Sequence, residues 1–131
     1  YLYSVHFSGS IAEEALKRLL KKCERLWFLD LSPLKEIQDP IGLIQSIPSK
    51  LLVLNLHDLP WVNEAVLDAL LDQCPNLNQL DLSGVESFPT TYLTELSRLR
   101  MLEKLSLNRL PDIDESNLNI IVPVWRAMVL D

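Results

Sequence analysis

The sequence predicts a right-handed α/β solenoid, with short parallel strands side by side on one face and helices on the other. Three observations carry this expectation. A six-residue leucine template, L-x-x-L-x-L, recurs at near-constant spacing along the chain. After each copy the apolar pattern changes from the alternation of a strand to the three-to-four spacing of a helix. The 131 residues, 48% of them hydrophobic, are enough for a sizeable core, whereas one strand–helix unit cannot bury its own apolar face and must stack on a neighbour.

The template fits Leu26, Leu29 and Leu31, then Leu51, Leu54 and Leu56, then Leu77, Leu80 and Leu82, then Leu102, Leu105 and Leu107. Looser copies stand at Leu2, Val5 and Phe7 and at Trp125, Met128 and Leu130, so successive copies start 24, 25, 26, 25 and 23 residues apart. Each copy predicts a strand. Further apolar positions follow at Leu34, Leu59, Val85 and Leu110, and again at Ile37, Val62, Phe88 and Ile113.

The helices follow in order. Ser10-Ile11-Ala12-Glu13 has capping-box spacing, and Ala15, Leu16, Leu19, Leu20 and Cys23 continue at helical spacing, supported by Glu13 with Lys17 and Glu14 with Arg18. Pro40 and Gly42 suit a short first turn of the second helix, and Pro48 ends it. Asn63 caps a helix burying Val66, Leu67, Leu70 and Leu71. Thr90 or Thr91 caps one burying Leu93, Leu96 and Leu99, and Asp114 or Ser116 begins the last, around Leu118 to Ile121. Residues 1–131 thus read as five near-complete units and the strand of a sixth, cut from a longer array.

The stretches CERLWFLDLSP and CPNLNQLDLSG occupy equivalent places two units apart. On these motifs the chain resembles leucine-rich repeat proteins, and among them the cysteine-containing repeats of F-box proteins. Cys23 and Cys74 stand at that repeat's first cysteine, Ile37-Gln38-Asp39 and Ile113-Asp114-Glu115 at its I-T-D segment, and Leu67, Leu93 and Leu118 at its following leucine. Its second cysteine is replaced by Leu34, Leu59, Val85 or Leu110. The resemblance implies strands on a concave face, a protein-binding role, and substrate recruitment to a cullin-type ubiquitin ligase whose adaptor is held by an F-box segment absent from these residues. Two rival expectations are a structural or assembly subunit of a large complex and the repeat region of a nucleotide-binding immune receptor, which LNLHDLP and LSLNRLP also resemble.

Composition narrows the partners. With 12 Lys and Arg against 18 Asp and Glu, the net charge of −6 repels a phosphate backbone, so nucleic acid is not expected. No apolar run has the length of a membrane span, so no membrane partner is expected either. Two distant cysteines and no Asn-x-Ser/Thr acceptor suit a reducing compartment, hence cytoplasm or nucleus. Strands about 4.8 Å apart put Cys23 and Cys74 about 10 Å from each other, beyond the roughly 7 Å a disulfide spans.

No catalytic equipment is legible. Ser32, His57 and Ser83 share the seventh template position, with Asp30 and Asp81 at the fifth, yet no nucleophile elbow or glycine-rich oxyanion loop accompanies them. His6 beside Asp30 reads as a solvated cross-strand pair. Three glycines, Gly9, Gly42 and Gly84, form no phosphate-binding fingerprint, so no cofactor or metal is expected. Lys17, Arg18, Lys21 and Lys22 read as a basic helix end, or as the place of an acidic partner.

The third and fifth template positions point away from the core. They read Ser4, Phe28, Val53, Gln79, Lys104 and His6, Asp30, Asn55, Asp81, Ser106. Apolar Phe28 and Val53, with Trp27 and Leu52 at the second position, are expected to be exposed and to form a contact surface for a protein partner or for the rest of the chain. The candidate face is therefore Trp27, Phe28, Asp30, Leu52, Val53, Asn55, Gln79 and Asp81, with Trp61 as a second candidate anchor.

Overall fold

The computed structural model describes residues 4–6, 12–89, 91–110 and 129–130, with side chains at 12–89 and 91–110. Six short strands, β1 (Ser4–His6), β2 (Phe28–Asp30), β3 (Val53–Asn55), β4 (Gln79–Asp81), β5 (Lys104–Ser106) and β6 (Val129–Leu130), form one sheet in chain order. Every neighbouring pair is parallel, and one register line crosses the sheet through Ser4, Phe28, Val53, Gln79, Lys104 and Val129.

Strands this short need bonds beyond their ends. The Trp27 carbonyl accepts from the Leu52 and Val53 amides at 3.1 and 2.9 Å, the Leu52 carbonyl from Asn78 and Gln79 at 2.7 and 3.0 Å, and the Asn78 carbonyl from Glu103 and Lys104 at 2.7 and 3.1 Å. At the other end Asn55, Asp81 and Ser106 carbonyls accept from Leu31, Leu56 and Leu82 at 3.0, 2.9 and 2.9 Å. The three ladders from β2 to β5 thus gain bonds at both ends.

Among the described residues, four helices pack on the sheet: α1 (Glu13–Lys22), α2 (Pro40–Gln45), α3 (Glu64–Gln73) and α4 (Tyr92–Glu95), the last continued by a 3-10 turn, Leu96–Arg98. Their lengths, 10, 6, 10 and 4 residues, follow their ends. Asp39 caps α2 by accepting from the Gly42 amide at 3.1 Å, Pro40 stands in the first turn where its missing N–H costs nothing, and Pro48 lies just beyond the end. Asn63 caps α3 as expected, its Oδ1 accepting from Val66 N at 3.0 Å.

Two cap expectations need correction. The residue before α1 is Ala12, with no side-chain cap, and Ser10 lies outside the described residues. Glu13 is the first helical residue, and its carboxylate instead accepts from the Gln38 and Asp39 amides at 2.7 and 2.8 Å, tying the start of α1 to the loop before α2. Thr91 precedes α4 with helical backbone angles and no side-chain bond. Thr90, and the last expected helix with Asp114 and Ser116, lie outside the described residues.

The inward leucines of the strands, Leu29, Leu54, Leu80 and Leu105, share one buried cluster with helix residues such as Leu16, Leu43, Leu67 and Leu93. The turn leaving each strand has its own rule. At the eighth template position the backbone is left-handed, with φ 59° at Asp58, 71° at Gly84 and 60° at Arg109, whereas Pro33 in the preceding unit is barred from that region by its ring. Arg109 reaches over Gly84 to Asp58, donating from Nη1 at 2.8 Å and Nη2 at 3.3 Å. A Cβ at Gly84 would collide with the Asp58 carboxylate, so this position needs glycine for space as well as for φ.

Leu80, 2% exposed, is expected to cost about 2–5 kcal/mol on Leu80→Ala, read from urea unfolding. Gly84→Ala should cost at least about 1–2 kcal/mol and less beside Asp58→Ala, where the collision is gone. Equal costs in both backgrounds would remove the collision from the account.

Candidate protein-binding face

The residues of the expected patch differ in depth. Trp27 and Leu52, at the second template position of adjacent units, are 46% and 43% exposed. Phe28 and Val53, expected to be exposed, are half-buried. The Phe28 ring stands edge-on to Trp27, centroids 5.9 Å apart at 65°, so part of its surface is covered by its own neighbour. Gln79, next in register, is exposed.

The polar ladder beside the patch serves the turns. Asp30 Oδ1 accepts from the Ser32 amide at 2.9 Å, Asn55 Oδ1 from the His57 amide at 3.0 Å, and Asp81 Oδ1 from the Ser83 amide at 2.9 Å. This is one side-chain turn made three times, closing the chain's exit from the strand. It leaves Asp30, Asn55 and Asp81 half-buried and held in fixed positions.

The serine–histidine–aspartate grouping resolves into the same turns. Ser32 is buried and donates its hydroxyl to Asp30 at 2.6 Å, while buried Ser83 accepts from the Asn108 amide at 3.0 Å. His57 Nδ1 lies 3.0 Å from Asp58 Oδ2, and Asp58 is held below the usual carboxylate range by Arg109 first and His57 second. The side chain of His6, expected beside Asp30, lies outside the described residues.

The remaining candidates separate. Lys17 meets Asp39, Glu14 and Glu13 at 2.9, 3.3 and 3.7 Å, which raises its own pKa and lowers that of Asp39. Lys21 and Lys22, one turn on, stand exposed at the end of α1. Trp61 is half-buried, its indole N–H donating to the Leu34 carbonyl at 2.7 Å, and with Ile37 and Pro60 it lines an open groove of 740 Å³. On the helical side Tyr92 donates to Asp68 at 2.6 Å, and burial together with that carboxylate pushes the phenol upward. Cys23 and Cys74 are free and buried, and among the described residues no group of three or more His, Cys, Asp or Glu is placed to hold a metal ion.

No known protein family matches this chain, and no curated protein does. Among solved structures, the chain is similar to one titled "Structure of Chaetomium Mex67:Mtr2 subunits", at 20% identity and a TM-score of 0.50, over 91% of this chain and 68% of that one. This likeness concerns the fold alone, and it corrects the sequence-based assignment. What it supports is a small α/β fold on a parallel sheet, not the expected leucine-rich-repeat solenoid of F-box type. The physical departure from a uniform stack lies in the helical layer, where the leucine template fixes the strands while helices of 10, 6, 10 and 4 residues differ from unit to unit.

Burial pushes the Cys74 thiol up to about 12, from an ordinary 9.0. The neutral thiol is favoured in the fold, so its contribution is complete below pH 9.0 and is lost as pH rises toward about 12. Cys74 should therefore resist iodoacetamide at neutral pH until the chain is unfolded in urea, and labelling at equal rates in both states would contradict this.

Proposed function

We propose that the protein is a binding module that holds a protein partner against the sheet face around Trp27 and Leu52. The observation that supports this reading is the pair itself: two large apolar side chains, 46% and 43% exposed, each standing just before one of two adjacent strands whose inward leucines are buried. Leaving such surface in water is unfavourable by about 25 cal/mol per Å², and an aromatic anchor of this kind commonly dominates an interface. The sheet presents the pair rigidly, because the Trp27 carbonyl accepts from the Leu52 and Val53 amides.

Replacing Trp27 and Leu52 together by Ser should reduce partner capture about tenfold or more, the scale of losing an aromatic anchor, while the unfolding midpoint stays nearly unchanged. Unchanged capture, or a collapsed fold, would sink the reading.

A further inference from the structure

We infer that the partner segment is acidic as well as apolar, and that its acidic groups lie over the rim where the strands begin. This rests on the sheet-face reading and gives it an orientation. In a chain of net charge −6, the residues entering the strands are locally basic. Lys21 and Lys22 end α1, Arg25 precedes β2, Lys50 precedes β3 and Arg100 precedes β5, all exposed, against Glu24, Glu103 and, at the end of α3, Asp72, which is paired with Arg98. Among the described residues Lys21, Lys22, Lys50 and Arg100 make no ion pair. Lys17 and Arg98, by contrast, are each held by two or more carboxylates.

Among the described residues, three of the four exposed large apolar side chains stand on this rim: Trp27, Leu52 and Met101, the last 57% exposed. Lys21 and Lys50 also face one groove of 260 Å³ with Glu24, Pro48 and Ser49. At the other end of the strands the sign reverses. Asp30 and Asp81 occupy it, Arg109 there is engaged by Asp58, and the Lys35 ammonium donates to the Asp58 carbonyl at 3.2 Å. Three residues of strand span about 10 Å, roughly one screening length at physiological salt. The apolar strip therefore runs between a basic and an acidic border, and a partner whose carboxylates flank its apolar anchors fits in one direction.

The same geometry disfavours an extended polyanion. A nucleic-acid strand or an anionic bilayer laid on the strip would meet Asp30 and Asp81 as well as the lysines. A short protein segment can keep its charges on one side.

The test uses the full chain and a fluorescein-labelled peptide in which Leu and Phe alternate with pairs of Glu, beside a counterpart with every Glu replaced by Lys. Anisotropy should show the acidic peptide bound about tenfold more tightly, weakening as salt rises. Lys21→Gln with Lys50→Gln should remove most of that preference without shifting the unfolding midpoint. Equal binding of both peptides, abolished by Trp27→Ser with Leu52→Ser, would overturn the acidic partner and leave the sheet face standing. Binding indifferent to Trp27 and Leu52 would overturn the sheet face itself. No binding of either peptide, or tighter binding to phosphatidylserine vesicles or single-stranded RNA than to the acidic peptide, would overturn the inference.

Discussion

Each described strand has at most three residues, and in β2 to β5 the inward leucine, Leu29, Leu54, Leu80 or Leu105, is held in one shared buried cluster. That shared packing is the constraint on which the rest depends. It forces the strands into one parallel register, because a slip by one residue would carry Leu29 or Leu54 to the solvent face and Phe28 or Val53 into the core. It also exposes the next positions along the chain, since the second template residue enters the sheet before the alternation begins. Trp27 and Leu52 are outside for the same reason that Leu26 and Leu51 are inside.

The turns after the strands form a second repeated device. Asp30, Asn55 and Asp81 each take the amide two residues on, and Asp58, Gly84 and Arg109 each turn the backbone left-handed. The Arg109–Asp58 contact links residues 51 apart across Gly84 and binds three consecutive turns together. An exposed pair of this kind adds little stability by itself. Its effect is positional, fixing the ends of β3, β4 and β5 and the acidic border of the face.

The strand positions and their register were legible in the sequence, because the leucine template is local and the spacing of copies is nearly constant. The Asn63 cap was legible for the same reason. What escaped depends on distant partners. Glu13 has capping-box spacing but spends its carboxylate on Gln38 and Asp39, residues of the next unit. Phe28 carries the pattern of an exposed residue and is half-covered by Trp27, a contact that alternation does not encode. The fold-class name also went further than the strands justify, since a leucine template specifies the sheet and leaves the helical layer free to vary.

Exposed apolar surface occurs on the helical side too, where Ile41 is 39% exposed against 43% for Leu52. Binding at the face would set Leu52 apart from Ile41, and site-specific photo-crosslinking separates the two. With benzoylphenylalanine at position 52 or at position 41 of the full chain, a partner adduct is expected from position 52 and none from position 41. Adducts from position 41 alone, or from both equally, would contradict it.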